Sequence, residues 1–403
     1  MKKKITFFVM SIALIFTLGI SASKALAAEV PITADYFPEE WLRNLLATTE
    51  YDKNGDGVLS EEELKDITNV ECVFEEKQEI NGAEGIEHLP YLERIFFKNI
   101  KCNNLQLIHC PAKLKKVGIR NSEVKKLKIS SNSIVEVWMP TVDHIMETRS
   151  DVQPCVVERI DVSGCKKLER LHCEMTGVLS KLNVRGCSNL TELRCSSGKL
   201  TKLDVSQNKR LRFLRCNNNQ LKELNFSSNK RLTYLECSRN KLKKLNVYQN
   251  KKLTVIECKK NCLTSLDLSQ NKKLEWVTFR NNKIKTLKLP DSEFLRGSGV
   301  EGDDPEVDPE VYTSFVRNPI RVVDITAVKK LKKLSHDDVL KFLSGGYCQV
   351  DEVYPSAYDP DQNHLDVKER PIKKLIVSKK MNAKDKKWIQ KIAGEYKVKV
   401  VYR

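Results

Sequence analysis

The sequence predicts an α+β solenoid in which short parallel strands stack turn upon turn. The first observation is a constant period of 21 residues between the leucines that begin successive units. The second is that the pattern L-x-x-L-x-C-x-x-N-x-L-x-x-L recurs with this period. A single unit cannot bury its apolar face, whereas stacked units share one core, so the repeat indicates a solenoid. The leucines are Leu190, Leu211, Leu232, Leu253 and Leu274.

The residue types within each unit suit this stacking. Leucine and cysteine alternate with polar side chains, as in a short strand with one face in the core. Cysteine in the strand slot is expected to act as a small buried apolar residue. Cys165 and Cys187 lie one turn apart at the second asparagine slot, and a disulfide between them is the alternative to two free thiols. Asparagine amides are expected to bond the buried backbone of the turns. The strand slot holds Cys173, Cys195, Cys216, Cys237 and Cys258; one turn slot holds Asn219, Asn240, Asn261 and Asn282, and another holds Asn208, Asn229, Asn250 and Asn271.

The units resemble leucine-rich repeats in the short form found in bacterial surface and secreted proteins such as the internalins. The resemblance covers residues 86–290, and toward its start the pattern degrades into three worn turns at 92–97, 114–119 and 134–139. An insertion is expected within residues 141–155. The resemblance implies a secreted or surface binding protein of a Gram-positive bacterium, and it names no ligand.

A stripe of apolar side chains is expected on the concave sheet of this solenoid. Within L-x-x-L-x-C, the third and fifth places point away from the core. An exposed aromatic stripe costs solubility unless it binds something, and aromatic residues and arginine dominate interface hot spots. We therefore expect a surface for a protein or peptide ligand, with cross-strand packing and cover by the chain's own C-terminal segment as alternatives. The surface comprises Phe213, Tyr234, Val255 and Trp276, with Arg194 and Arg215 beside them.

Residues 1–27 have the form of a secretory signal peptide, with three lysines at positions 2–4, an apolar run and small residues at 25–27. An uncleaved anchor is the alternative. No later apolar stretch approaches the ~20 residues that span a bilayer. The mature chain is therefore expected to be a secreted monomer without a membrane span.

Residues 52–63 match the calcium-loop pattern D-x-[DN]-x-[DN]-G-x5-E at every defined place. Ca²⁺ takes about seven oxygen ligands, and this spacing delivers them to one point. Gly57 permits the sharp turn that the loop needs. The alternative is a solvated acidic turn. The expected ligands are Asp52, Asn54, Asp56, the carbonyl of Val58, Ser60 through water, and both carboxylate oxygens of Glu63.

Residues 28–85 resemble the calcium-loop caps that precede leucine-rich repeats in secreted proteins of Gram-positive bacteria. The resemblance implies a helical EF-hand-type cap. The loop stands alone, whereas sensor proteins pair two such loops, so the Ca²⁺ ion is expected to brace the cap and not to act as a switch. Extracellular calcium is abundant enough to fill even a weak site.

Charge is divided unevenly along the chain, whose net charge is +17. Residues 28–98 hold 18 acidic and 6 basic residues, or −12, and residues 99–403 hold 35 acidic and 60 basic residues, or +25. A basic solenoid favours acidic partners. The alternative function is therefore a wall-associated structural protein, retained on anionic wall polymer by turn lysines such as Lys209 and Lys230 without a specific protein ligand. Nucleic acid is not expected as a partner.

Residues 291–403 are expected to form a small α/β unit that covers the last turn, because a solenoid end exposes core leucines and unpaired strands. Strands are predicted at 321–325, 374–377 and 397–402, and helices at 337–343 and 382–392. The acidic loop at 303–310 matches no metal motif. Catalysis is not expected, since no motif for it appears and Cys348 is the one cysteine in a plausible loop outside the solenoid.

Overall fold

The computed structural model describes residues 29–139, 155–174, 176–290, 320, 322–325, 372–381, 383–395 and 397–403. Four features predicted from the sequence lie outside these residues. They are the signal peptide at 1–27, nearly all of the insertion at 141–155, the acidic loop at 303–310 and the helix at 337–343. Cys348 also lies outside them.

A long parallel sheet of thirteen strands runs through the described solenoid. Its strands pair in register, so that Leu193 lies opposite Leu214, and Leu214 opposite Leu235. Residues one period apart are therefore spatial neighbours, as the repeat predicts. The strands are β3 (Asn69–Glu79), β4 (Arg94–Leu107), β5 (Lys116–Arg120), β6 (Glu123–Ile129), β7 (Glu136–Trp138), β8 (Val156–Asp161), β9 (Arg170–His172), β10 (Lys181–Asn183), β11 (Glu192–Arg194), β12 (Phe213–Arg215), β13 (Tyr234–Glu236), β14 (Val255–Glu257) and β16 (Trp276–Thr278).

The sheet has two branches because β4 is long and changes direction at Asn99. Residues 94–98 of β4 pair with β5, and residues 101–107 pair with β6. Asn99 adopts a left-handed φ of 57°, and its side chain donates a hydrogen bond of 2.6 Å to the carbonyl of Phe74. The branch that continues through β5, β7, β9, β11, β12, β13, β14 and β16 is called the principal face; it carries the surface predicted to be concave.

The core is built from the stacked leucines and cysteines of the repeat. All five cysteines of the strand slot are fully buried, which confirms their predicted place. Burial raises the pKa of Cys216 and Cys258 to about 12, so these thiols stay protonated and inert. Every described cysteine is a free thiol. In particular, Cys165 and Cys187 are not bridged and donate instead to backbone carbonyls, at 3.4 and 3.1 Å.

One set of asparagines joins the backbones of neighbouring turns. Asn219 donates a hydrogen bond of 2.9 Å to the carbonyl of Cys195 and accepts one of 3.0 Å from the backbone N–H of Leu200. The preceding residue, Asn218, has a left-handed φ of 52°, which turns the chain sharply out of the strand. Buried backbone groups are thereby satisfied, as expected. Asn240, Asn261 and Asn282 repeat these contacts.

The N-terminal unit contains two short helices and a two-stranded sheet. β1 (Val30–Pro31) pairs antiparallel with β2 (Val58–Leu59). The helices α1 (Glu40–Leu46) and α2 (Glu61–Asp66) have seven and six residues. Trp41 of α1 meets Phe97 of the solenoid at 6.0 Å between ring centroids, so the unit packs against the first turns. The parallel ladder begins directly after it, with β3.

The described C-terminal strands continue the ladder of the last units. β15, β17, β18, β19 and β20 form a five-stranded parallel sheet, and a helix, α3 (Ala383–Glu395), buries Ile389 and Ala393. The strands predicted at 321–325, 374–377 and 397–402 and the helix at 382–392 are thus present. The strand bounds are Ser265–Asp267, Thr286–Lys288, Val322–Asp324, Lys374–Val377 and Lys399–Tyr402.

The architecture as a whole is a parallel-strand β-solenoid like that of leucine-rich repeat proteins. Its described α-helices have seven, six and thirteen residues, beside one 3₁₀ turn at Ile86–His88. Helices are therefore fewer than the α+β class leads one to expect. The physical reason is that two extended segments and the bends between them take up each unit of about 21 residues, as β14 and β15 do in one of the last units. No helix among the described residues is long and apolar enough to span a membrane.

Candidate functional site

The apolar stripe predicted from the repeat lies along the principal face. Phe213 pairs with Tyr234, Tyr234 with Val255, and Val255 with Trp276 in successive strands. All four are half-buried. The residue that follows each of them in its strand, such as Leu214 or Leu235, is fully buried. The period of two along each strand fixes this alternation.

The centre of the stripe is an aromatic stack with arginine beside it. The rings of Phe213 and Tyr234 lie 4.3 Å apart between centroids, with 9° between their planes. The guanidinium of Arg194 lies 4.8 Å from the centroid of the Phe213 ring, and that of Arg215 lies 5.7 Å from it. Stacked rings and cation–π contacts hold one another in place. Four of the six surface residues predicted from the sequence therefore form a single cluster.

The two arginines are compensated by carboxylates, which the sequence pattern does not reveal. Arg194 Nε lies 2.6 Å from Glu192 Oε1, and Arg215 forms an ion pair with Glu236. Although burial disfavours the charge of Arg215, hydrogen bonding to Tyr234 and the negative charges of Glu236 and Glu174 raise its pKa above the ordinary value. The cluster is therefore aromatic with paired charges, and less basic than the sequence suggests.

A chain of ion pairs extends from this cluster toward the N-terminus along the principal face. His172 Nε2 lies 3.1 Å from Glu192 Oε1, and hydrogen bonding to His172, more than to Arg194, lowers the pKa of Glu192 to about 2. One strand further, Arg170 and Glu136 pair at 3.2 Å. Alternating charges in neighbouring strands give the face a definite electrostatic pattern.

Glu174 is the exception among these carboxylates because it is buried just beyond β9. Its residue is only 7% exposed, and burial raises its pKa despite the opposing charges of Arg215 and Arg194. Arg215 Nε lies 4.0 Å from Glu174 Oε1. Glu174 is therefore a buried carboxyl group at the edge of the cluster, within electrostatic reach of Arg215.

A second aromatic pair, which was not predicted from the sequence, lies nearer the N-terminus. Phe96 and Trp138 face each other at 6.3 Å between centroids and lean over Gly118, which stands in the strand between them. A Cβ on Gly118 would lie 2.5 Å from Phe96 Cδ2, so only glycine lets the rings meet. The sequence could have indicated this pair, because residues 96, 118 and 138 share the fifth place of the worn turns and are therefore expected to be neighbours in adjacent strands.

This second pair borders a cleft of about 380 Å³ with charged walls. Arg94, Lys116, Glu71 and Glu136 are among the residues that line it, and Lys116 pairs with Glu136 at 3.5 Å. Both partly buried rings line the same cleft. The principal face therefore carries two aromatic positions, with the ion-pair chain between them.

The predicted calcium loop is ordered by hydrogen bonds to its own acidic side chains. Both carboxylate oxygens of Asp52 accept from backbone N–H groups, including those of Gly55 at 2.8 Å and Gly57 at 2.9 Å. Both glycines have left-handed φ values, 71° and 79°. Asp56 Oδ1 accepts from Val58 N–H at 2.9 Å. The loop sits between α1 and α2, and Leu59 anchors it through the β1–β2 pair.

Glu63 closes the loop as a helix cap. Its Oε2 accepts from the N–H and hydroxyl of Ser60 at 2.8 and 2.7 Å, and its Oε1 from Lys53 N–H at 2.8 Å. The Ser60 hydroxyl is the main cause of a lowered Glu63 pKa. Asp52 and Glu63 are almost fully buried, and their chemistry is that of hard oxygen ligands. Within the described residues, however, no three acidic, histidine or cysteine side chains converge as a metal cluster.

Similarity to known proteins is found among solved structures of repeat proteins. No family model matches it, and no curated protein is significantly similar to it. Among solved structures, the functional domain of InlJ from Listeria monocytogenes, which includes a cysteine ladder, is 25% identical, with a TM-score of 0.41 over 76% of this chain and 70% of that one.

Two further solved structures have lower identity. An internalin, InlF, from Listeria monocytogenes is 15% identical over 67% of this chain and 94% of that one, with a TM-score of 0.32. A leucine-rich repeat protein of Leptospira interrogans is 16% identical over 84% of this chain and 91% of that one, with a TM-score of 0.30. The structural neighbours are thus internalins and other leucine-rich repeat proteins.

Proposed function

We propose that this chain is an extracellular, non-catalytic binding protein that takes a protein or peptide ligand on its principal face. The observation that carries the proposal is the Phe213–Tyr234 stack, half-buried and flanked by Arg194 and Arg215. A rigid aromatic platform loses little conformational entropy when a ligand covers it. The arginines already have carboxylate partners, so covering the platform leaves no buried charge unpaired.

The ligand in this proposal is an extended segment with an apolar anchor and charges of both signs. The anchor covers Phe213 and Tyr234, and the ion pairs around Glu192 and Glu136 set its orientation. The Phe96–Trp138 cleft offers a second anchor point. Four strand spacings separate Gly118 from Phe213, or about 19 Å. A segment of six or so extended residues (~3.3 Å each) spans this distance.

The predicted signal peptide at residues 1–27 supports export in this proposal, and the loop at 52–63 supports a structural Ca²⁺ ion. Asp52, Asn54, Asp56, Ser60, Glu63 and the Val58 carbonyl supply oxygen donors of the type calcium prefers. Bound calcium would neutralise the buried carboxylates of Asp52 and Glu63 and brace the N-terminal unit. For this, Glu63 must exchange its hydrogen bonds with Ser60 and Lys53 for the ion.

Capture from culture supernatant, with matched variants, tests the proposed function. The mature chain is immobilised beside a triple variant, Phe213→Ala, Tyr234→Ala and Trp276→Ala, and beside Tyr248→Ala, which removes an exposed aromatic residue away from the principal face. We expect a ligand retained at high salt by the wild type and by Tyr248→Ala, and lost by the triple variant. Equal capture by all three folded proteins would contradict the proposal, as would capture that disappears with salt alone.

A further inference from the structure

A double row of basic residues runs along the flank of the solenoid, away from the core. In four consecutive turns, two basic residues follow the buried turn asparagine directly. All eight side chains are exposed. We define this basic row as residues 209–210, 230–231, 251–252 and 272–273.

The basic row is held in register by hydrogen bonds between its turns. Asn229 Nδ2 lies 2.8 Å from the carbonyl of Asn208, and Asn250 Nδ2 lies 3.0 Å from that of Asn229. Asn271 repeats the contact with Asn250 at 3.0 Å. Each basic pair begins immediately after one of these asparagines. Successive pairs are therefore about 5 Å apart, the spacing of stacked extended turns.

The basic row has no acidic residue within it. Residues 205–213, 226–234 and 247–255 contain no aspartate or glutamate, and in the fourth turn the first acidic residue after the pair is Glu275. None of the eight side chains forms an ion pair within the described part of the chain. This contrasts with the principal face, where Arg170, Arg194 and Arg215 have carboxylate partners. Like charges in a line repel one another, so the row gains from an anion that neutralises several of them together.

We propose that the basic row binds a linear phosphate polymer, in which anionic groups recur at a short, regular interval. A one-dimensional array of equally spaced cations matches a repeating polyanion better than the irregular surface of an acidic protein. The two arginines in the row offer bidentate contacts to phosphate oxygens, and the lysines act as point charges. Each phosphate that is neutralised releases a condensed counterion, which gives binding a steep salt dependence.

This face is independent of the proposed ligand surface. Two residues separate each basic pair from the strand that follows it, which is β12, β13, β14 or β16. The pairs therefore border the principal face and do not belong to its aromatic stack. Loss of binding on one face leaves the other intact. A chain with both faces would hold a phosphate polymer along its flank while presenting the principal face to another ligand.

The test measures binding of fluorescent long-chain inorganic polyphosphate by anisotropy over a range of salt concentrations. The wild type is compared with a row variant in which Lys209, Lys230, Lys251 and Lys272 become Gln. The control variant carries Lys125→Gln, Lys126→Gln, Lys128→Gln and Lys181→Gln. These four lysines are exposed but lie in mixed-sign surroundings; Lys128, for example, pairs across strands with Asp161. Both variants change net charge equally, and circular dichroism verifies that both fold.

We expect the magnitude of the slope of log K (the association constant for polyphosphate) against log salt concentration to fall by about 3 in the row variant, since each phosphate that is no longer neutralised removes roughly 0.7. In the control variant the slope should fall by less than about 1. Orthophosphate at equal phosphate concentration should not compete. Equal loss in the two variants would show an effect of net charge alone and would overturn the proposal. Competition by orthophosphate, tighter binding of polyglutamate, or no binding at low salt would also overturn it.

Discussion

Asn208 donates a hydrogen bond of 2.9 Å from its side chain to the backbone carbonyl of Cys187, the residue that occupies the same slot one turn earlier. Asn208 also donates to the carbonyl of Val184 at 3.0 Å. Cys187 makes the contact that matches this second one, because its thiol donates to the carbonyl of Val162 at 3.1 Å. Asparagine and cysteine are therefore interchangeable donors at this position of the repeat. The amide oxygen of Asn208, by contrast, is buried without a hydrogen-bond partner.

This equivalence predicts how substitutions at Asn229 will behave. The Asn229 amide donates to the carbonyls of Val205 and Asn208 at 2.9 and 2.8 Å. We expect Asn229→Ala to lower the free energy of unfolding by about 1–3 kcal/mol, since it leaves buried carbonyls unsatisfied. Asn229→Cys should cost less, because a thiol keeps one donor and removes the unpartnered oxygen.

Urea denaturation measures both changes at Asn229. Asn246→Ala, at an exposed position, serves as the control and should change stability by less than about 0.5 kcal/mol. If Asn229→Cys destabilises the chain as much as Asn229→Ala does, the slot depends on something other than a hydrogen-bond donor.

The pair His172–Glu192 predicts a pH dependence of stability. The folded-state pKa of Glu192 is about 2, below its value of about 4.3 in an unfolded chain. A lowered carboxyl pKa stabilises the folded state above about pH 4.3, and this contribution disappears as the pH falls through about 2. We expect Glu192→Gln to be less stable than wild type by about 1–3 kcal/mol near neutral pH.

The measurement is the difference in unfolding free energy between wild type and Glu192→Gln from about pH 6 to about pH 2. It should shrink steadily below about pH 4. In a His172→Asn background the difference near neutral pH should be smaller and its loss should be complete at a higher pH, because the main cause of the lowered folded-state pKa has been removed. A difference that is constant with pH would contradict the assigned role of His172.

Gly118 offers a test of the second aromatic pair. A methyl group there would lie 2.5 Å from Phe96 Cδ2 and 3.4 Å from Trp138 Cε3. Gly118→Ala should therefore push the partly buried Phe96 ring away from Trp138 while the solenoid stays folded, and the Trp138 indole signal in NMR spectra should shift. Gly394→Ala is the control, since nothing lies within 4 Å of its added carbon. An unshifted Trp138 signal in Gly118→Ala would show that the rings are not coupled through this position.

The repeat predicts the stacking of this chain because one period fixes many contacts at once. Once Leu193 and Leu214 lie opposite each other, Phe213 must adjoin Tyr234 and Cys195 must adjoin Cys216. The buried cysteines and the turn asparagines follow from the same regularity. Local patterns likewise predict the C-terminal strands and α3, since the spacing of apolar residues within each of these short segments indicates a strand or a helix.

The period does not determine every contact between side chains of different turns. The ion pair of Arg215 with Glu236 depends on rotamers that the repeat leaves free, so the stripe looked more basic than it is. The Phe96–Trp138 pair was missed although its residues share one place of the worn turns, because the glycine between the two rings adds no side chain that would mark the stripe. The change of direction within β4 depends on the left-handed backbone of Asn99, and the repeat pattern does not predict it.

The calcium loop gives the last prediction, which tests whether its oxygen donors hold an ion. We expect millimolar CaCl₂ to raise the melting temperature of the wild-type chain by several degrees over the same protein in EGTA, because an ion that binds only the folded state stabilises it by RT ln(1 + [Ca²⁺]/Kd). Asp56→Asn removes one proposed ligand at an exposed place in the loop and should abolish most of the rise. Asp66→Asn removes an acid that pairs with Lys53 outside the ligand set and should leave the rise unchanged. Calcium titration calorimetry on the three proteins should rank them in the same order. A wild type that binds no calcium in either experiment would mean that Glu63 keeps its hydrogen bonds to Ser60 and Lys53, and that the loop folds as a self-contained acidic turn.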